Sequence, residues 1–166
     1  MRKDISAGKH KRLTERNRIH AAGRESVWYM KHLTLPNDIE TIPQLGEFIE
    51  VFCEEQGIDM DLCMSLNLAI EEAVVNVMNY AYPEGTVGYV DIQADADQQF
   101  ITFVISDSGI PFDPTQKEEV DTTLSVEERE VGGLGIHLVR TIMDSVSYEY
   151  IDHKNILTLR KEFNKQ

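Results

Sequence analysis

Between residues 61 and 82 apolar side chains return every three or four positions, and this run constrains the fold more than any other feature. At about 100° per residue, Leu66, Ala69, Ile70, Ala73, Val77 and Ala81 fall on one stripe. A helix with one apolar face must lie against a second apolar layer. The strands for that layer follow at once: Val87 to Ala94 and Phe100 to Ile105, joined through the polar turn Asp95 to Gln99. Val146 to Ile151 and Ile156 to Leu159 suit a closing hairpin around Asp152 to Asn155. Upstream, Val27 to Leu35 suits a first strand, and Leu35-Pro36-Asn37-Asp38 is a turn able to cap a helix. Ile39, Ile42, Leu45, Phe48, Ile49 and Phe52 then predict a helix to about Gln56, ended by Gly57. The long helix opens at Asp59 or Asp61 and runs to about Tyr82, before Pro83 and Gly85, and a third runs from Gly132-Gly133-Leu134-Gly135 to about Ser145. This order predicts an α+β fold, a two-layer α/β sandwich with helices on one face of a mixed, largely antiparallel sheet.

Charge divides the chain. Of 166 residues, 29 are acidic and 16 basic, a net of -13. Residues 1 to 32 hold nine Lys or Arg against three Asp or Glu, a net of +6, which leaves -19 for the rest. Residues 1 to 25 lack sustained periodicity and read as a flexible basic leader, a disordered tail or a misplaced start, with residues 26 to 166 forming one domain. So acidic a body repels a phosphate backbone, so no direct nucleic-acid binding is expected outside the leader. No run approaches the 18 or so apolar residues of a membrane span, and the N-terminus lacks the apolar core of a secretory signal, so a cytoplasmic protein is expected. Cys53 and Cys63 lack zinc spacing and sit in apolar helical patterns, as reduced core thiols do.

The chemistry concentrates at the sheet-facing border of the long helix and beyond it. Glu72, Asn76 and Asn79 line up at i, i+4 and i+7 beside the apolar stripe. Asn is a poor helix former, so two of them within a helix suggest a compensating role, although amides that cap neighbouring backbone would read the same way. Ile101 to Ile105 runs into Asp107-Ser108-Gly109, which taken alone is an ordinary turn. Pro111 to Val131 follows, rich in Glu, Asp and Thr, too long for an ordinary connection and reading as a lid. It ends at the Gly-rich turn, where the free N-H groups of a helix N-terminus attract phosphate. That turn is neither a P-loop nor the dinucleotide fingerprint.

In this order the motifs resemble a known family. LAIEEAVVNVMNYAY, ISDSGIPFDP and EREVGGLGIHLVRTIMDSVSYE are similar to the N, G1 and G2 boxes of the gyrase, histidine-kinase and chaperone ATPase superfamily, the Bergerat fold. More narrowly, they resemble the small stand-alone anti-sigma factors of the RsbW and SpoIIAB type, which are serine/threonine protein kinases, over about Met30 to Phe163. The resemblance implies ATP and Mg2+ as cofactors, a sigma factor and a STAS-type anti-anti-sigma protein as partners, and a homodimer. It implies that Asn76 holds Mg2+ against the phosphates, with Asn79 beside it in the nucleotide site, and that Glu72 activates or orients the attacking hydroxyl. Asp107 would accept from the adenine amino group and Gly109 would let backbone approach the base. Gly133 and Gly135 would bring amide N-H groups to the phosphates, and Thr158 would lie near adenine.

The chain also departs from that pattern. Pro111 stands where many superfamily members have a second Gly, and no Arg occurs between Arg24 and Arg129. Arg129 is the available replacement for an early arginine reaching the phosphates, or else a lid residue paired with Glu127, Glu128 or Glu130. His137, among Ile136, Leu138 and Val139, reads as packing, and the other histidines form no ligand spacing. The expected function is therefore an anti-sigma factor kinase acting on a serine or threonine of the STAS partner. The rival is a nucleotide-gated protein-binding switch without useful catalysis.

Overall fold

A computed structural model describes residues 30–116 and 133–163. The leader, most of the expected lid and Arg129 lie outside the described residues. The sheet comprises β1 (Lys31–Pro36), β2 (Tyr89–Ala96), β3 (Phe100–Asp107), β4 (Ser145–Ile151) and β5 (Lys154–Glu162). The helices are α1 (Ile42–Gln56), α2 (Met60–Tyr80) and α3 (Gly133–Ile142).

Sequence chemistry sets the helix ends. Asp38 accepts from the Glu40 N-H and caps a short 3-10 turn, Ile39–Thr41, and the α-helix proper begins at Ile42 with Pro43 in its first turn. Pro is tolerated there because its missing N-H would have no intrahelical partner. Gly57 ends α1 in the left-handed conformation, φ 69°, the geometry Gly adopts most readily. Asp59 caps α2 through the Leu62 N-H at 3.0 Å. The helix stops at Tyr80, two residues short of the expectation, and the Ala81 carbonyl accepts from the Ile110 N-H at 2.7 Å.

The strand order is β1-β2-β3-β5-β4, and every pairing is antiparallel. The expected parallel component has a definite reason for its absence. The chain crosses from β3 through α3 to β4, which run in the same direction, but β5 inserts between them and pairs antiparallel with both. The β4–β5 turn places Asp152 and His153 at φ 52° and 61°, as a two-residue hairpin turn requires to match strand twist.

One face of the sheet meets the helices. Leu35, Ile92, Phe103, Ile105 and Leu159 interlock with Leu45, Ile49 and Phe52 of α1 and with Leu66, Ile70 and Val74 of α2, all buried. Phe52 and Phe103 meet edge to face, ring centroids 5.6 Å apart. Cys53 is a buried thiol and neither cysteine is in a disulfide. Burial and then the neighbouring Cys63 thiol push its ionisation upward, which keeps it protonated and unreactive. Phe103→Ala is expected to destabilise the domain by about 3–5 kcal/mol, the usual cost of removing a buried aromatic ring. A shift in urea midpoint at unchanged slope checks this.

Candidate functional site

The site lies between the C-terminal half of α2, the end of β3, the start of β5 and α3. A cavity there is lined by Asn76, Val77 and Tyr80 of α2, Ile105 and Asp107 of β3, Ile136 of α3, and Tyr148, Asn155 and Leu157 of the final hairpin. Ile110, Phe112 and Pro114 complete it from the chain after β3. Its walls are apolar, with polar groups gathered at two ends.

At the first end Asp107 is buried, 5% exposed. Strand alternation turns it to the helix side with Phe103 and Ile105, and the register sets it opposite Asn155. Asp107 Oδ1 accepts from Asn155 Nδ2 at 2.9 Å and from the Gly109 N-H at 2.8 Å. Asn155 is itself buried and fully engaged. Its Nδ2 also donates to the Ile110 carbonyl at 3.1 Å, and its Oδ1 accepts from Tyr148 Oη at 2.7 Å and the Phe112 N-H at 3.2 Å. Burial pushes the Asp107 carboxyl above its ordinary range, against the pull of those two hydrogen bonds. Both bonds use the same carboxylate oxygen, Oδ1, so an incoming amino group has a strong acceptor to meet in Oδ2.

At the second end α3 abuts α2. A Cβ on Gly135 would overlap Glu72 Oε2 and lie 2.9 Å from Asn76 Nδ2. The bare Gly135 lets the first turn of α3 lie against the carboxylate and amide, whose side-chain ends would have to shift to admit a Cβ. Asn76 lines the cavity; Glu72, one helical turn earlier and half-buried, and Asn79, exposed, lie outside its lining. Gly133 is the first residue of α3. The first N-H groups of a helix have no partner within it, so they face a ligand with partial positive charge.

Gly109 and Thr158 have well-defined neighbours in the fold. The close neighbour of Gly109 is the Ala81 backbone, which a Cβ would strike; this glycine lets the β3 loop pack over the end of α2. Thr158 pairs with Val104 and Ser147 on the face of the sheet turned away from the helices. The helix-side positions of β5 are Asn155, Leu157 and Leu159, and Asn155 stands beside Asp107. The last strand begins at Lys154, two residues before the expected Ile156, which puts Asn155 inside β5 and not in the turn.

Comparison with known proteins identifies the family. Residues 35–161 match the family described as the histidine kinase-like ATPase domain. The chain belongs to that family. Among curated relatives, the serine/threonine-protein kinase BtrW of Bordetella bronchiseptica is 30% identical over 98 residues, 59% of this chain and 69% of that one. The serine-protein kinase RsbW of Halalkalibacterium halodurans is 28% identical over 123 residues, 67% of this chain and 75% of that one. Among solved structures, the RsbU and RsbW domains of Rv1364c from Mycobacterium tuberculosis superpose with a TM-score of 0.59 at 15% identity. That match covers 83% of this chain and 33% of the other, and shows a shared fold. Within the histidine kinase-like ATPase family the chain thus groups with ATP-dependent serine/threonine protein kinases, as the motif resemblance implied.

The raised Asp107 carboxyl carries a testable sign. The folded state holds its proton more tightly than the unfolded state, so stability falls as pH rises from the ordinary carboxylate range through the folded value. At pH 7 the buried charge is a net liability, and Asn at this position can still accept both hydrogen bonds. Asp107→Asn is therefore expected to melt no lower than wild type at pH 7, with any gain shrinking toward pH 4, while nucleotide affinity falls roughly 10- to 100-fold, the loss of a hydrogen bond to a charged group. Calorimetric melts at several pH values and nucleotide titration measure both.

Proposed function

We propose that the protein binds ATP in this cavity and transfers its γ-phosphoryl group to a serine or threonine hydroxyl of a STAS-type protein, and that in its other state it sequesters a sigma factor. The observation that supports this best is the contact of Gly135 with Glu72 and Asn76. It sets the anion-attracting end of α3, a metal-compatible amide and a proton acceptor side by side.

In this reading the adenine lies toward Asp107, whose Oδ2 accepts from the amino group. Apolar Ile105, Ile110, Phe112 and Leu157 exclude water from its faces. The phosphates lie toward the first turn of α3 and Asn76. No group of three or more His, Cys, Asp or Glu among the described residues could form a metal cage, so a divalent cation would rest on Asn76 oxygen and on the nucleotide, a donor set suited to Mg2+. Bound there, Mg2+ supplies neutralisation of the phosphate charge. Glu72 receives the proton of the acceptor hydroxyl as its oxygen bonds to the γ-phosphorus and the bond to ADP breaks. Positioning and charge are most of what this reaction requires.

The absence of any Lys or Arg from residues 33 to 116 supports the second reading, a nucleotide-gated switch with no useful transfer. The two readings separate in one assay. Labelled ATP, Mg2+ and each STAS protein of the source genome are incubated with wild type, Glu72→Ala and Asn76→Ala. Kinase function requires transfer by wild type that falls about 100-fold or more in Glu72→Ala with ATP still bound, in the range general-base removal produces; Asn76→Ala loses Mg-dependent binding. ATP binding with no transfer by wild type favours the switch. Co-purification in ADP against ATP tests the sigma factor. A homodimer in the cytoplasm belongs to the same proposal; among the described residues no helix is long and apolar enough to cross a membrane.

A further inference from the structure

The outer face of α2 carries three large apolar side chains in one row. Met60, Met64 and Leu68 recur at four-residue spacing and are 75%, 66% and 49% exposed. A row of this kind presents a few hundred Å2 of apolar surface, a size that on soluble proteins is often functional. The exposed charges of α1 and α2 have one sign. α1 carries Glu47, Glu50, Glu54 and Glu55, Asp59 caps α2, and Asp61 and Glu71 flank the row, all exposed. Neither helix contains a Lys or Arg, and Glu55 of α1 pairs with Lys31 of β1 at 2.6 Å. None of the row's residues lines the nucleotide cavity.

We infer that the Met60–Met64–Leu68 row is the docking surface for the sequestered sigma factor, which places a basic amphipathic helix along it. This rests on the proposed sequestration and names its surface. Charge complementarity selects the occupant: a sigma factor must carry basic surface to meet DNA phosphates, whereas accepting a phosphoryl group imposes no such requirement. An acidic layer that covers this surface withholds it from DNA. Leu68 precedes Glu72 by four residues, about 6 Å along the helix, so the surface ends beside the phosphoryl-transfer site.

The test uses the full-length protein with each purified sigma factor of the source genome in turn. For the factor that binds wild type, Met64→Ser and Leu68→Ser are expected to weaken binding about 10-fold or more, as central apolar anchors do, while ATP affinity and melting temperature stay at wild-type values. Raising salt from 50 to 200 mM is expected to weaken wild-type binding, and the Asp61→Lys, Glu71→Lys double variant to weaken it further with a flatter salt dependence. Wild-type sigma binding by the row variants overturns the inference. So does a loss confined to phosphorylation of the STAS protein, a loss confined to self-association, or competition by a peptide of residues 1–25 that binds the row more tightly than the sigma factor does. If no sigma factor binds wild type while ATP does, sequestration itself fails.

Discussion

The site depends on a buried hydrogen bond between Asp107 on β3 and Asn155 on β5. An unpaired carboxylate at this depth would be costly, and Asn155 offsets that cost while its remaining polar atoms hold Ile110, Phe112 and Tyr148 in place. One side chain therefore fixes a strand register, an acceptor and the loop that walls the cavity. The opposite end relies on a missing side chain. Glycine at 135 lets α3 reach Glu72 and Asn76, so one end of the site is set by polar satisfaction and the other by steric permission.

A chain of net charge -13 that binds ATP must attract a polyanion locally. Coulomb repulsion between exposed carboxylates and a nucleotide is screened within about 10 Å at moderate salt, whereas helix N-H groups act at contact. The design separates the two: most acidic residues of α1 and α2 face outward, and the cavity walls are largely aliphatic and aromatic. Bulk charge then governs which macromolecules approach, and a few dipoles govern the nucleotide.

Much of this was legible in the sequence, because periodicity reports burial. The stripe on α2 turned out buried at Leu66, Ala69, Ile70 and Ala73, with Val74 and Met78 added on the same side. The strand-end Asp107 and the Gly-rich helix start were visible as local chemistry. What stayed hidden depends on long-range pairing. The insertion of β5 between β3 and β4 determines that Asn155, not Thr158, faces Asp107, and nothing within a ten-residue window encodes it. The reason for Gly109 was hidden likewise, since it lies in the end of α2, some 28 positions upstream.

Because β5 is the last strand among the described residues yet lies inside the sheet, the central pairings close late. β3 has only one neighbour until the C-terminal hairpin docks, and contacts so distant in sequence are slow to form. The acceptor for the base therefore has its full set of partners only once residues near 155 have been synthesised and folded back. A chain without β5 would lack Asn155 and the core residues Leu157 and Leu159, and with them a finished nucleotide site, which makes ligand competence a late step of folding and not a property of the helices alone.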